Sequence, residues 1–171
     1  MDLERFFARV IRASFGDLGL SDEAVVAYLA NLLTRFARTE NLYPRGVREV
    51  RLETIADLLL EIQGAWQLSS PYFEPEREVT LRRHIGDYTL FMTGLFPERV
   101  ERMASTRHYI AQGKRAYHFV SEHARVSGRA AAPPYRRLAE RFESYVGVLD
   151  YARRVHFADH PEHPFFRLGF A

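Results

Sequence analysis

The sequence predicts an all-α fold, a single-domain irregular bundle of six or seven helices. Apolar residues recur at intervals of three and four along most of the chain, which is the spacing of one helix face. No stretch alternates apolar and polar residues with a period of two for more than a few positions, so strands are not predicted. Pro, Gly and Ser separate the periodic segments, as they do where helices begin and end. A length of 171 residues fits one domain.

The N-terminal part predicts two helices joined by a short turn. The first covers 2–14 and is expected to be broken by Gly16 and Gly19, because glycine disfavours a helix interior. Ser21 is the predicted N-cap of the second helix, 22–39, because its hydroxyl can accept from a free backbone N–H of the first turn. Acidic residues follow it, where the helix dipole favours them.

The rest of the chain predicts five further helices. Pro75 and Pro97 suit the first turn of a helix, Ser105 suits an N-cap, and Pro133 opens the last segment. The predicted helices are 47–64, 75–95, 97–103, 106–127 and 133–157. The last 14 residues, 158–171, are predicted to be a tail that packs on the body or on a partner chain, since two prolines interrupt them.

Composition excludes several classes of protein. The chain has no cysteine, which excludes disulfide scaffolds, thiolate metal sites, iron–sulfur clusters and cysteine nucleophiles. Its first five residues include three charged ones and lead into no apolar stretch, unlike a signal peptide. Its longest uncharged runs, such as 62–73, are too short to span a bilayer. We therefore expect a soluble cytoplasmic protein with no membrane partner.

Charge is unevenly divided along the chain. Residues 1–80 carry nine Arg against thirteen acids, whereas residues 81–171 carry fifteen basic residues against nine acids and all seven His. Fourteen of those fifteen are Arg, whose planar guanidinium suits carboxylate or phosphate. The asymmetry favours an anionic partner for the C-terminal half. One alternative is that the acidic half and the basic half pack against each other. Another is that a GC-rich genome produces the preference for Arg over Lys.

Common catalytic motifs are absent from the sequence. It contains no H-E-x-x-H, no Glu followed three residues later by His, no Walker loop, no G-x-S-x-G and no G-x-G-x-x-G. This favours a protein without enzymatic activity and leaves the enzyme question open. No cofactor is predicted.

The segment 81–97 holds the first candidate site. On a helix, His84 falls within the apolar arc and Asp87 lies on its flank, one turn later. A carboxylate at this spacing can contact the imidazole and orient it. Gly86 and Gly94 indicate close packing or a close backbone approach. The segment therefore predicts either a small-ligand or metal pocket or a core histidine satisfied by an acid, with a second helix crossing at the glycines.

Side chains around this pair complete the predicted ligand site. The candidate ligand-binding residues are His84, Asp87, Tyr88, Arg83, Tyr109 and Tyr117.

The same segment resembles an uncharacterised bacterial family of small all-α proteins with a G-D-x-x-L-F-x-x-G-x-F-P segment. Here the segment reads Gly86-Asp87, Leu90-Phe91, Gly94 and Phe96-Pro97. A later piece with Tyr109-Ile110, Gly113 and Ala116-Tyr117 fits the same resemblance. The resemblance implies that these two helices form a characteristic unit. It implies no activity, cofactor or catalytic residue.

The predicted helix 106–127 is the second candidate region. One narrow stripe of small and aromatic residues would admit a neighbouring helix: Tyr109, Gly113, Ala116, Tyr117, Val120 and Ala124. Its basic residues, with Arg99, Arg102, Arg129, Arg136 and Arg137, would make a phosphate-binding surface. Bases would stack there on Tyr109, Tyr117 and Tyr135. Interspersed Glu residues interrupt that surface, so nucleic-acid binding is not favoured. His118 and Glu122, one turn apart, form either a two-ligand metal clip or a solvated pair.

The tail holds the third candidate region. His156 and His160 are four residues apart, with His163 nearby, and this spacing allows a metal site. Imidazole suits zinc, nickel or iron. Phe165, Phe166 and two further apolar residues favour instead a tail that packs on the body or joins a homodimer.

Three functional hypotheses remain from the sequence. The leading one is a soluble helical protein that binds a partner protein or itself. The second is a small-ligand or metal-binding domain, with or without enzymatic activity, centred on His84, Asp87 and Tyr88. The third is a phosphate or nucleic-acid binder that uses the Arg-rich C-terminal half.

Overall fold

The computed structural model describes residues 2–37, 75–126 and 134–157. Its described part contains seven helices and no strand, which confirms the all-α prediction. The helices are α1 (Leu3–Asp17), α2 (Glu23–Phe36), α3 (Pro75–Leu95), α4 (Pro97–Met103), α5 (Thr106–Val126), α6 (Tyr135–Glu140) and α7 (Phe142–Val155). The helix predicted at 47–64 and the tail 158–171 lie outside the described residues.

Helix α1 continues through Gly16, so the prediction that Gly16 breaks the helix was wrong. The helix ends at Asp17, with Leu18 as its C-cap, because Gly19 adopts a positive φ of 69°, which glycine accepts without steric cost. The Leu20 N–H then donates to the Phe15 carbonyl at 2.8 Å and the Gly19 N–H to the Gly16 carbonyl at 3.1 Å. These two bonds form a Schellman motif that satisfies the terminal carbonyls.

Helix α2 starts one residue later than the sequence predicts. Its N-cap is Asp22, whose Oδ1 accepts from the Val25 N–H at 3.2 Å, and not Ser21. Both residue types are good caps, and local pattern does not choose between neighbours. Asp22 also accepts from Arg137 Nε at 2.6 Å, so this cap ties α2 to α6. An acid of the N-terminal half, Asp22, thus pairs with a base of the C-terminal half, Arg137.

The helix predicted at 133–157 is two helices. Arg141, with φ −116° and ψ 30°, interrupts the regular backbone between α6 and α7. The apolar spacing runs through the break without a gap, since Leu138, Ala139 and Phe142 are all buried. Periodicity alone therefore predicted one continuous helix. Helix α6 packs on α5, whereas α7 packs chiefly on α3 and α1.

The antiparallel pair α3 and α5 forms the centre of the fold, with α7 against α3 and the α1–α2 pair beside them. Glycines allow the close approach, because a Cβ at Gly86 would lie 2.6 Å from the Tyr117 ring and a Cβ at Gly94 would lie 2.5 Å from Leu149 Cβ. A Cβ at Gly113 would contact the Phe142 ring at 2.5 Å. The close packing predicted from Gly86 and Gly94 is confirmed.

Candidate functional site

The side chain of Asp87 lies at the centre of the fold, on α3, and only 1% of the residue is exposed. Its Oδ1 accepts from the hydroxyl of Tyr28 at 2.6 Å and from the hydroxyl of Tyr117 at 2.7 Å. Its Oδ2 accepts from Arg35 Nη2 at 3.0 Å. One carboxylate therefore joins α2, α3 and α5.

Two local features place the donors around Asp87. Gly86 leaves room for the ring of Tyr117, so its hydroxyl reaches the neighbouring carboxylate. Tyr28 and Arg35 are seven residues apart on α2, which puts both on one face of that helix. Arg35 Nε also donates to Asn31 Oδ1 at 2.9 Å, which orients the guanidinium toward Asp87.

Three tyrosine rings pack against one another around the carboxylate of Asp87. The ring of Tyr28 meets those of Tyr117 and Tyr135 edge to face, with centroids 6.3 and 5.6 Å away. The rings of Tyr117 and Tyr135 stack with centroids 6.1 Å apart. These contacts hold the hydroxyls in place, as edge-to-face and stacked ring pairs do in protein interiors.

Burial, followed by the negative charge of Asp87, raises the pKa of Tyr28 and of Tyr117 well above the ordinary tyrosine value. Both hydroxyls therefore stay protonated at neutral pH and remain donors. Burial alone would lower the pKa of Arg35, but the attraction of Asp87 outweighs it, so the net shift is upward. The group is a charged hydrogen-bond network in which internal donors occupy both carboxylate oxygens.

The other predicted ligand residues divide into a buried group and an exposed one. His84 is 8% exposed, and its ring stacks on Tyr88 and contacts Phe36, with centroids 6.1 and 5.9 Å away. Tyr88 lies against Tyr109, with centroids 6.4 Å apart. Arg83 is exposed. The structure thus brings His84, Tyr88 and Tyr109 into one row of rings.

The predicted pairing of His84 with Asp87 is not seen in the described part of the structure. Among the described residues, the side-chain hydrogen bonds of Asp87 come from Tyr28, Arg35 and Tyr117. Tyr117 was among the predicted site residues, whereas Tyr28 and Arg35 were not. The only local indication of a role for these two residues was their spacing of seven on one helix, and the carboxylate they bind is more than 50 residues away in sequence.

The predicted metal ligands are only partly described. His156 lies at the end of α7, with Nε2 3.5 Å from Asp17 Oδ2, whereas His160 and His163 lie outside the described residues. Within 2–37, 75–126 and 134–157, no group of three His, Asp or Glu side chains is arranged to hold a metal ion. His118 and Glu122 are exposed, and Glu122 accepts from Arg125 Nη2 at 3.0 Å.

The helices that the structure describes also include none with the length and apolar character needed to cross a membrane.

Comparisons of the chain with protein-family models, with curated proteins and with solved structures gave no match in any of the three. The resemblance of Gly86–Pro97 to a bacterial family therefore stays a prediction from those residues.

Proposed function

We propose that this chain is a soluble cytoplasmic helical protein that acts by binding a partner protein or a second copy of itself. The observation that supports this best is the hydrogen bonding of Asp87, the one carboxylate among the predicted ligand residues. A general base or nucleophile needs a free oxygen within reach of substrate. Here two tyrosines and an arginine already donate to both oxygens. The network stabilises a scaffold and leaves the surface as the place for recognition.

The first experiment asks whether the protein binds protein. The tagged full-length chain is cross-linked in cells of its source organism, purified after nuclease treatment, and its bound proteins are identified by mass spectrometry. One partner recovered in fixed stoichiometry, and rebinding as a purified protein in calorimetry, is the expected result. Light scattering of the purified chain at several concentrations measures self-association. No captured protein together with a concentration-independent monomer would overturn the proposal.

A second measurement distinguishes the small-ligand and metal hypothesis. Elemental analysis and an absorbance spectrum of the purified chain detect a bound metal or chromophore. We expect neither in stoichiometric amount. If a metal or chromophore is present and His84→Ala removes it, the site at α3 binds a ligand and the binding-protein proposal is wrong.

A further inference from the structure

The excess of positive charge among the described residues is confined to two neighbouring helices and the residue that follows them, Arg141. Helix α5 carries four basic residues against one acid, and 135–141 carries three against one. All other described residues together carry eleven basic residues against twelve acids. The excess seen in the C-terminal half of the sequence is therefore a local feature of α5 and α6.

Helices α5 and α6 lie side by side and antiparallel. The ring of Tyr135 stacks on Tyr117 and fixes the contact from within. Electrostatic interactions at steps of about four residues agree with this register on the outside, between Glu122 and Arg136 and between His118 and Glu140. At the start of α7, Lys114 Nζ lies 2.9 Å from Glu143 Oε1. The outward side chains of both helices therefore form one continuous surface.

This surface, the α5–α6 ridge, consists of outward polar and charged side chains of α5 and α6 together with two residues at the start of α7. They are Arg107, Lys114, Arg115, His118, Glu122, Arg125, Arg136 and Glu140, with Arg141 and Glu143. Each acid on the ridge already has a basic neighbour. The pairs are Glu122 with Arg125 at 3.0 Å, Glu140 with Arg136 at 2.8 Å and Glu143 with Lys114 at 2.9 Å.

Three arginines of the ridge remain available to another molecule. Arg107, Arg115 and Arg141 are exposed and form no ion pair with any residue that the structure describes. Guanidinium groups bind carboxylates through paired hydrogen bonds, and an exposed one is hydrated only weakly. The ridge therefore presents the guanidinium groups of these three arginines to the carboxylates of another molecule, whereas its other charged residues pair with one another.

The mixture of charges on the ridge distinguishes an acidic protein from a nucleic acid. Hydrogen bonds from Arg136 and Lys114 lower the pKa of Glu140 and of Glu143, so both stay ionised and would repel phosphates. The tyrosines expected to stack on bases are in the interior, since Tyr117 is fully buried and stacks on Tyr135. A protein surface can place its own basic residues opposite the fixed acids, whereas a phosphate backbone cannot.

We propose that the α5–α6 ridge is the docking surface of this chain and that its partner is a protein with an acidic surface segment. This inference rests on the proposed function, because it names the surface and the partner class of that same binding. Arg107, Arg115 and Arg141 supply the contacts, and the paired acids on the ridge disfavour a nucleic acid, whose phosphate backbone cannot place basic groups opposite them.

The test compares two triple variants of the full-length chain. The ridge variant is Arg107→Glu/Arg115→Glu/Arg141→Glu. The matched control, Arg5→Glu/Arg9→Glu/Arg99→Glu, reverses three exposed arginines of α1 and α4 with the same change in net charge. Circular dichroism and thermal melting confirm that both variants fold. A fluorescent acidic peptide of about 20 residues and a DNA duplex of similar charge serve as probes, titrated by anisotropy at two salt concentrations.

We expect the ridge variant to bind the peptide at least about tenfold more weakly than the wild type, and the control to bind within about twofold. We also expect the peptide to bind more tightly than the duplex at equal salt. Equal losses in both variants would show that net charge, and not the ridge, is recognised. Tighter binding of the duplex would assign the ridge to nucleic acid and overturn the partner class.

The partner captured from cells separates this inference from the proposed function. If that purified partner binds the ridge variant as tightly as the wild type, the ridge is not the docking surface although the chain is a binding protein. If no version of the chain captures a protein, the proposed function itself fails.

Discussion

Replacing Asp87 by Asn removes the charge from the buried network while keeping the size of the side chain. The amide offers one acceptor where the carboxylate offers two, and its NH₂ group must face either Arg35 Nη2 or the two tyrosine hydroxyls. At least one donor therefore loses its acceptor. We expect Asp87→Asn to fold with a lower free energy of unfolding.

The magnitude follows from the three hydrogen bonds that the carboxylate accepts. A hydrogen bond to a charged group contributes about 1.5–3 kcal/mol, and breaking a buried charge pair costs about 3–5 kcal/mol. The side chain of Arg35 is 36% exposed, so water recovers part of its loss. We expect a net loss of about 3 kcal/mol, out of a total stability on the order of 5–15 kcal/mol.

Urea denaturation followed by circular dichroism at pH 7 measures this loss. With a slope of about 2 kcal/mol per molar urea, the midpoint falls by about 1.5 M. The control is Glu101→Gln, which makes the same chemical change on an exposed residue of α4 without an ion pair in the described structure. Its midpoint should match the wild type. A loss below about 1 kcal/mol for Asp87→Asn would refute the stabilising role of the network.

A milder variant at the same network keeps the reasoning testable if Asp87→Asn does not fold. Tyr117→Phe removes one hydroxyl donor and keeps the buried ring, so it should cost about 1–2 kcal/mol. If both variants fold, Asp87→Asn should cost less in the Tyr117→Phe background than in the wild type, because the two side chains share a hydrogen bond. Additive losses would show that the two residues stabilise the fold independently.

Two further predictions concern alkaline stability and helix packing. The folded-state pKa of Tyr28 and of Tyr117 is raised by burial and by the nearby carboxylate, so above the unfolded-state value of about 10 the folded state holds more protons than the unfolded one. The free energy of unfolding should therefore be independent of these groups below pH 10 and fall as the pH rises further, and Tyr28→Phe/Tyr117→Phe should flatten that fall in urea titrations. An unchanged slope in the double variant would contradict the assignment. Gly94→Ala should destabilise the fold by about 1–2 kcal/mol, since its Cβ would lie 2.5 Å from Leu149 Cβ, which is fixed to the backbone of α7. Gly147→Ala should stabilise it by about 0.5–1 kcal/mol, because a Cβ there meets no atom within 4 Å and alanine is the better helix former. Thermal melting measures both changes, and a Gly94→Ala variant as stable as the wild type would show that the contact with Leu149 does not limit how closely α3 and α7 pack.

The arrangement of α3 and its neighbours shows how far the sequence predicted the site. The bounds of α3 and α4 agree with the prediction, because proline fixes the start of each helix locally. The small and aromatic stripe of α5 is buried as expected except at Ala124, which is half-buried. Ser105 Oγ accepts from the His108 N–H at 3.0 Å as a cap. These features depend on residues within one or two turns of each other, so one sequence is sufficient to predict them.

The sequence by itself determined the helical class, most helix bounds in the described part, and the place of Asp87 on the flank of the apolar arc of α3. The tertiary structure alone decided which donors reach that carboxylate, because Tyr28 and Arg35 come from a helix more than 50 residues earlier. It also decided that the excess of positive charge in the described part of the C-terminal half lies along one surface, the α5–α6 ridge. Helix periodicity sets which side chains share a face, but the contact between two helices depends on packing across the whole core, where Gly86 allows Tyr117 to approach.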